Sequence, residues 1–160
     1  MLPVEKIEKS FDFLESLEEF SGGACTLGLA KSVLRELLPG HPDLAQAISA
    51  AMEAFENLSD GEKTLLKLPE KQACNEIQKN YVNFYPKEGV NPYVPLAALG
   101  PWIVSAYGAV LHDSGGYGML GLGHNPPNVM KELERPEVMA NVMTPNLQQK
   151  HFSDLLRKEI

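Results

Sequence analysis

His112, Asp113 and Ser114 are three adjacent residues of the types that form a hydrolytic triad. A triad requires its side chains to converge, whereas successive residues of a strand point to opposite faces of the sheet. We therefore interpret His112 as a strand-end residue, and His124 as a residue that hydrogen-bonds the turn before a helix at Pro126. The four histidines of the chain are His41, His112, His124 and His151. No two of them have the spacing of metal ligands, so we predict no metal site and assign no catalytic residue.

A second motif, G-x-G-x-x-G, lies between Gly116 and Gly121. In a dinucleotide-binding fold these glycines form a tight turn, and the N-terminus of a helix that opens within the motif meets the pyrophosphate. Here the motif is followed by Gly123 and by Pro126-Pro127, which interrupt any such helix. A nucleotide binder is therefore the weakest of the functions that we consider.

Composition narrows the class of protein. The chain has 160 residues, a net charge of −7, 44% hydrophobic and 22% charged residues, which is the range of a globular domain. No basic cluster is present, so nucleic acid and membrane surfaces are not expected as partners. Cys25 and Cys74 form no C-x-x-C motif, and we predict two small core residues in a reduced, cytoplasmic protein.

Residues 1–88 have the pattern of a helical region. Apolar residues recur at helical spacing in three stripes, at positions 4–17, 27–38 and 44–55. Pro39-Gly40 closes the second stripe, and Pro42 suits the first turn of the third helix. Ser59 and Glu62 have the spacing of a capping box for a fourth helix. Pro69 can open a fifth helix, with Ala73, Ile77, Tyr81 and Phe84 on one side.

The second half of the chain has a different character, because Asp113 is the only formally charged residue from Gly89 to Met130. We predict an irregular linker over 89–100, then a three-stranded antiparallel meander with strands at 102–106, 109–113 and 117–120. Helices are expected from Pro126-Pro127 to about Leu133, from Pro136, and after a cap at Asn146. The predicted fold is α+β and mostly helical, with a helical region (1–88), a linker (89–100) and a third segment (101–160).

The stretch from Gly108 to Leu133 resembles the N-terminal signature of class III aminotransferases. That signature contains a short strand, an Asp, a Gly turn, a strand led by Tyr, a Gly-His turn with Pro, and a helix. The matching residues are Asp113, Gly116, Tyr117, Gly123, His124, Asn125 and Pro127. The resemblance covers residues 100–160 at most, and the stretch from Tyr117 to Gly123 is shorter than is usual in the family.

The resemblance implies a fold-type-I enzyme that works as a homodimer with pyridoxal 5'-phosphate on a lysine of its large domain. The cofactor lysine and its partners would follow Ile160, so none of the lysines of this chain is assigned to the cofactor. By the same resemblance, Asp113, Gly116, Gly123, His124, Asn125 and Pro127 are structural turn residues. Tyr117, Met119, Leu120 and Gly121 are candidates to line the substrate side, with plain strand core as the alternative.

We therefore expect an N-terminal portion of an enzyme that transfers an amino group from an amine or amino acid to a 2-oxo acid. The amphipathic pattern at Lys158-Glu159-Ile160 has no helix stop signal, so we expect the polypeptide to continue and a downstream domain to be the partner of this one. The 160 residues alone are expected to be inactive and free of cofactor. The alternative is a non-catalytic helical interaction module formed by residues 1–85.

Overall fold

A computed structural model describes residues 2–81, 93–114, 121–134 and 145–160. The chain divides into two compact units, Met1–Pro127 and Asn128–Ile160. The helices are α1 (Val4–Phe20), α2 (Lys31–Leu37), α3 (Pro42–Glu56), α4 (Asp60–Leu66), α5 (Glu70–Ile77), α6 (Pro127–Leu133) and α7 (Leu147–Glu159), with a 3-10 turn at Gln78–Asn80. The strands are β1 (Pro95–Leu99), β2 (Trp102–Ser105) and β3 (Val110–His112). The predicted α+β, mostly helical fold is confirmed.

The predicted helix stripes form real buried faces. Phe11, Leu14 and Leu17 are buried along α1, because their spacing returns them to one side of the helix. Pro42 occupies the first turn of α3, where its missing N–H leaves no intrahelical bond unmade. The side chains of α3 that are buried behind it are Leu44, Ala47, Ile48 and Ala51.

Two predicted helix caps are also present. The Ser59 hydroxyl accepts a hydrogen bond from the Glu62 N–H, and the Glu62 carboxylate accepts one from the Ser59 N–H, which is a complete capping box at α4. Asn146 accepts from the N–H groups of Gln148 and Gln149 at the start of α7. These side chains satisfy donors that the first helical turn otherwise leaves unpaired.

The sheet is an antiparallel meander in the order β1-β2-β3. The predicted strands at 102–106 and 109–113 correspond to β2 and β3, with Trp102 opposite His112 and Val104 opposite Val110. The prediction of an irregular linker was wrong for Pro95–Leu99, which forms β1 and pairs with β2. Pro95 can begin this strand because β1 lies at the sheet edge, where one side of the backbone needs no partner.

Helices and sheet share one hydrophobic core. Trp102, Val104 and Val110 from the sheet belong to the same buried cluster as Phe11 and Leu44 from the helices, and α3 packs on β1 and β2. The helices that contribute to this cluster are therefore joined to the sheet through a common interior, within the compact unit Met1–Pro127.

The loop from Ser21 to Ala30 differs from the prediction. The second helical stripe was expected to include Leu27, but α2 begins at Lys31 and Leu27 is 93% exposed. The loop instead runs beside β3, where the Leu29 N–H donates to the Val110 carbonyl oxygen at 2.8 Å. A Cβ atom on Gly28 would lie 2.7 Å from the Val110 nitrogen, so the close approach requires glycine. This contact covers the β3 edge of the sheet at Val110.

Several predictions fall outside the described residues: the third strand at 117–120, the packing of Phe84 and the short helix at Pro136. In the second compact unit, α7 carries exposed apolar side chains at Phe152, Leu155 and Leu156. Among the described residues, no helix is long and apolar enough to cross a membrane.

Candidate functional site

Two segments far apart in sequence meet at the turn between β1 and β2. The Gly100 N–H donates to the His124 carbonyl oxygen at 2.9 Å, and the His124 N–H donates to the Gly100 carbonyl oxygen at 2.8 Å. These reciprocal bonds form an isolated antiparallel bridge. Asp113, just beyond β3, donates its N–H to the Pro101 carbonyl oxygen at 2.7 Å. The β1–β2 turn thus holds both Asp113 and His124.

The side chains of these two residues form a pair that we name the Asp113–His124 clasp. His124 Nε2 lies 3.0 Å from Asp113 Oδ2, and each side chain is 23% exposed. The prediction that His124 hydrogen-bonds its own turn is wrong for the side chain, which bonds the carboxylate eleven residues earlier. Because one ring nitrogen faces the carboxylate, the clasp fixes the orientation of the imidazole.

The backbone after His124 explains why small or turn-forming residues stand there. Gly123 has φ +76°, and a Cβ atom there would lie 2.8 Å from the Gly100 Cα atom. Asn125 has φ +45°, a conformation that asparagine tolerates, and its Nδ2 donates to the Ala98 carbonyl oxygen at 2.9 Å. Helix α6 then begins at Pro127. The segment 123–127 therefore turns sharply while it stays bonded to β1.

An aromatic cluster lies beside the clasp. The Trp102 ring is 5% exposed and makes edge-to-face contacts with His41 and His112, at centroid distances of 5.7 and 4.9 Å. His41 precedes the first turn of α3, and Asp43 of that turn approaches Gly100. Three of the four histidines thus lie near one end of the sheet, a convergence that sequence spacing did not predict.

Glu70 is a buried charged residue that the sequence analysis missed. Its side chain is 0% exposed, and Oε2 accepts from the N–H groups of Cys25 and Thr26, both at 2.8 Å. Glu70 Oε1 and the Thr26 hydroxyl are buried without a hydrogen-bond partner among the described residues. We name this arrangement the Glu70 clamp; it ties the loop before α2 to the start of α5. A Glu directly after Pro69 gives no sequence signal of burial.

Two further groups face the Glu70 clamp. Burial, reinforced by the Glu70 charge, raises the pKa of Tyr107 to about 12, and the Tyr107 hydroxyl donates to the Leu68 carbonyl oxygen at 2.8 Å. Burial and the same carboxylate raise the pKa of the Cys74 thiol. The prediction that both cysteines are core residues was wrong for Cys25, which is exposed, and Cys74 is only half-buried. A raised thiol pKa disfavours the thiolate, so Cys74 is not an activated nucleophile.

The structure brings together only some of the predicted site residues. Asp113, Gly123, His124 and Asn125 surround the β1–β2 turn, and Gly121 lies in an exposed turn. Gly116, Tyr117, Met119 and Leu120 fall outside the described residues, so the substrate-lining role stays a prediction. Within the described ranges, no group of three His, Cys, Asp or Glu side chains could hold a metal ion.

Every lysine that the structure describes is exposed or half-exposed. Such side chains do not form the enclosed attachment point that pyridoxal phosphate requires. The expectation that the cofactor lysine lies outside these residues stays a prediction.

The comparisons with other proteins add no further assignment. The chain matches no protein-family model, no curated protein and no solved structure.

Proposed function

We propose that this chain is the N-terminal portion of a class III aminotransferase, an enzyme that moves an amino group between an amine or amino acid and a 2-oxo acid. The Asp113–His124 clasp carries the proposal, because it joins the two halves of the family-like pattern. The end of β3 supplies Asp113, and the Gly-His turn supplies His124, 3.0 Å away. Residues that match the family in sequence are thus also neighbours in space.

The order of elements supports the same proposal. The pattern contains a strand, an Asp, a Gly turn, a strand led by Tyr, a Gly-His turn with Pro, and a helix. The Gly turn and the Tyr-led strand fall outside the described residues. The described residues contain β3 up to His112, the turn with φ +76° at Gly123, and α6 from Pro127. A glycine at the left-handed position and a proline at the helix start are what the local backbone requires.

In this proposal the chain supplies a positioning segment, and a further domain holds the pyridoxal phosphate, which acts as the electron sink of the reaction. The clasp would hold the Gly-His turn against β1. A cytoplasmic homodimer and the attached downstream domain are parts of the same proposal. No residue of this chain is proposed to touch the cofactor.

The proposal is tested with the protein encoded by the entire reading frame that contains these residues. A panel of amines and amino acids is paired with 2-oxo acids, and amino transfer is measured at varied concentrations of both substrates. We expect ping-pong kinetics, because donor and acceptor react in separate half-reactions. Failure of every pair to exchange an amino group, with pyridoxal phosphate supplied, would contradict the proposal.

The clasp has its own test in that protein. His124→Ala removes the imidazole that bonds the Asp113 carboxylate, and Lys131→Ala, at an exposed position of α6, is the matched control. If the clasp positions the substrate side, His124→Ala should lower kcat/KM by ~3-fold to 10-fold, whereas the control should match the parent protein. Equal kinetics for the two variants would remove the positioning role.

The alternative, an autonomous interaction module at residues 1–85, is disfavoured by the shared core. α3 packs on β1 and β2, so separation of the helices from the sheet would expose Leu44 and Leu38 to water. Residues 1–85 expressed alone should therefore self-associate or lose their cooperative thermal transition. A monomeric, cooperatively folded 1–85 would restore the alternative.

A further inference from the structure

A groove of about 410 Å³ lies between α1 and α3. Its volume lies within the range of about 300–1,000 Å³ that is typical of small-molecule sites. The lining residues that carry its chemistry are Lys6, Lys9, Pro42, Ala45, Ser49 and Met52. The groove belongs to neither the clasp nor the proposed amino-transfer reaction, and its ligand does not rest on that proposal.

The groove is open because small side chains line its two helical walls. Ser10 of α1 is buried, and its hydroxyl donates to the Lys6 carbonyl oxygen at 2.9 Å, so it stays against its own helix. Ala45 and Ser49 stand one helical turn apart on α3. Because these side chains are short, they leave the space between the two helices open.

Three acidic side chains of α1 are paired with basic side chains of α2. Glu8 pairs with Arg35 at 2.9 Å, and Glu15 and Glu18 pair with Lys31 at 3.2 and 3.1 Å, so these acids face α2. Lys6 and Lys9 line the groove instead, and among the described lining residues none is acidic. A chain with a net charge of −7 thus has a cationic groove.

We propose that this groove binds a small amphipathic carboxylate, a molecule with one carboxylate and a compact aliphatic or aromatic body. Its carboxylate meets the ammonium groups of Lys6 and Lys9, and its body lies over Pro42, Ala45 and Met52. The methylene stems of both lysines extend the apolar surface. The limited volume favours a free small molecule over an acidic peptide, which would need a longer surface.

The first test uses octanoate as the probe, titrated calorimetrically into the 160-residue chain. Octanol and octylammonium are matched controls, because they keep the apolar body and remove or reverse the charge. We expect saturable binding of octanoate, with at least ~10-fold weaker binding of both controls, since each lacks the attraction to two lysines. Equal binding of octanol would show a merely apolar surface and would overturn the proposal, as would absence of saturable octanoate binding.

Two variants locate the site. The double variant Lys6→Glu/Lys9→Glu should weaken octanoate binding at least ~10-fold. The control is Lys67→Glu/Lys71→Glu, which makes an equal charge change at exposed positions outside the groove and should change octanoate binding less than about 3-fold. Ser49→Phe keeps every charge and fills the groove, so it should also abolish binding. All of the substituted positions are exposed, and thermal melts followed by circular dichroism verify that the variants fold. Unchanged binding in Ser49→Phe would place octanoate elsewhere and overturn the proposal.

Discussion

The Glu70 clamp and the Asp113–His124 clasp each use one carboxylate to hold a distant loop. Glu70 is fully buried and accepts two backbone N–H groups from residues 25 and 26. Asp113 is 23% exposed, and its carboxylate lies 3.0 Å from the His124 ring, which water also reaches. One carboxylate therefore bonds backbone in the interior, and the other bonds a side chain at the surface.

This difference in burial predicts a structural role for Glu70 and a positioning role for Asp113. Removal of the Glu70 side chain leaves two partly buried N–H groups without their acceptor, which costs more than loss of a hydrogen bond at the surface. The Asp113–His124 pair can break and re-form in contact with water, because solvent replaces either partner. We expect stability to depend on the first carboxylate, whereas the second affects mainly the position of the Gly-His turn.

The largest expected effect is that of Glu70→Ala. This substitution removes the acceptor of the partly buried N–H groups of Cys25 and Thr26. At about 1–3 kcal/mol for each donor left without a partner, we expect a loss of about 3 kcal/mol in the free energy of unfolding. Urea denaturation measures it. Glu76→Ala, at an exposed position of the same helix, is the control and should cost less than about 0.5 kcal/mol.

The substitution Glu70→Gln tests whether hydrogen bonding or charge accounts for the effect of the Glu70 clamp on stability. The amide oxygen can take the place of Oε2, and the amide nitrogen can take the place of Oε1, which has no hydrogen-bond partner among the described residues. We therefore expect a loss of only about 1 kcal/mol, well below that of alanine. If alanine and glutamine variants were equally destabilised, the clamp would owe its effect to charge rather than to hydrogen bonding.

The next effect is that of Tyr107→Phe, which removes the hydroxyl that donates to the Leu68 carbonyl oxygen. Tyr107 is 1% exposed, so the acceptor is left with poor access to water, and we expect a loss of about 1 kcal/mol near neutral pH. The exposed Tyr81 provides the matched control, Tyr81→Phe, which should be neutral in the same urea measurement.

Tyr107 also makes stability depend on alkaline pH. Its pKa is raised from 10.0 to about 12 in the folded chain, so between these values the folded state retains a proton that the unfolded state has released. The contribution of Tyr107 is therefore complete below pH 10 and declines as the pH rises to about 12. The Tyr107→Phe variant should lose less stability over this interval than the parent chain, and Tyr81→Phe should lose as much.

A smaller effect is expected at the clasp. Asp113→Asn keeps the shape and weakens the bond to His124, at a cost of about 0.5–1 kcal/mol because both side chains are partly solvated. The fluorescence of Trp102, the single tryptophan, reports on unfolding. A loss above about 2 kcal/mol would mean that the clasp, like the clamp, is a structural element of the interior.

The smallest effect is expected at the surface pairs of Lys31 with Glu15 and Glu18. Their hydrogen bonds raise the pKa of Lys31, but all three side chains are about half exposed and screened by solvent. Lys31→Ala should therefore change the free energy of unfolding by less than about 0.5 kcal/mol, and added salt should remove that difference. A large loss of stability that persists at high salt would show that side-chain exposure does not distinguish these surface pairs from the buried contacts of Glu70.

The features predicted correctly from sequence are those set by local chemistry. Helical spacing located α1 and α3, the Ser59–Glu62 spacing located a cap, and Asn146 located the start of α7. β2 and β3 were also predicted, because β-branched residues concentrate there. Each of these signals lies within one turn or strand of the element that it specifies.

The features that were missed depend on contacts between distant segments. β1 has the sequence Pro-Leu-Ala-Ala-Leu, which has no β-branched residue, and it becomes a strand by pairing with β2. The burial of Glu70 depends on a loop 45 residues earlier in the chain. The approach of Asp113 to His124 depends on the bridge at Gly100. The family resemblance selected both clasp residues, but their contact could not be derived from spacing.

The central claim is tested most directly by the visible absorption spectrum of the protein encoded by the entire reading frame, purified with pyridoxal phosphate. We expect an absorption band of protein-bound cofactor that an amino donor bleaches and a 2-oxo acid restores. A protein without such a band, or a reading frame with no lysine-bearing domain after Ile160, would contradict the assignment to the aminotransferases.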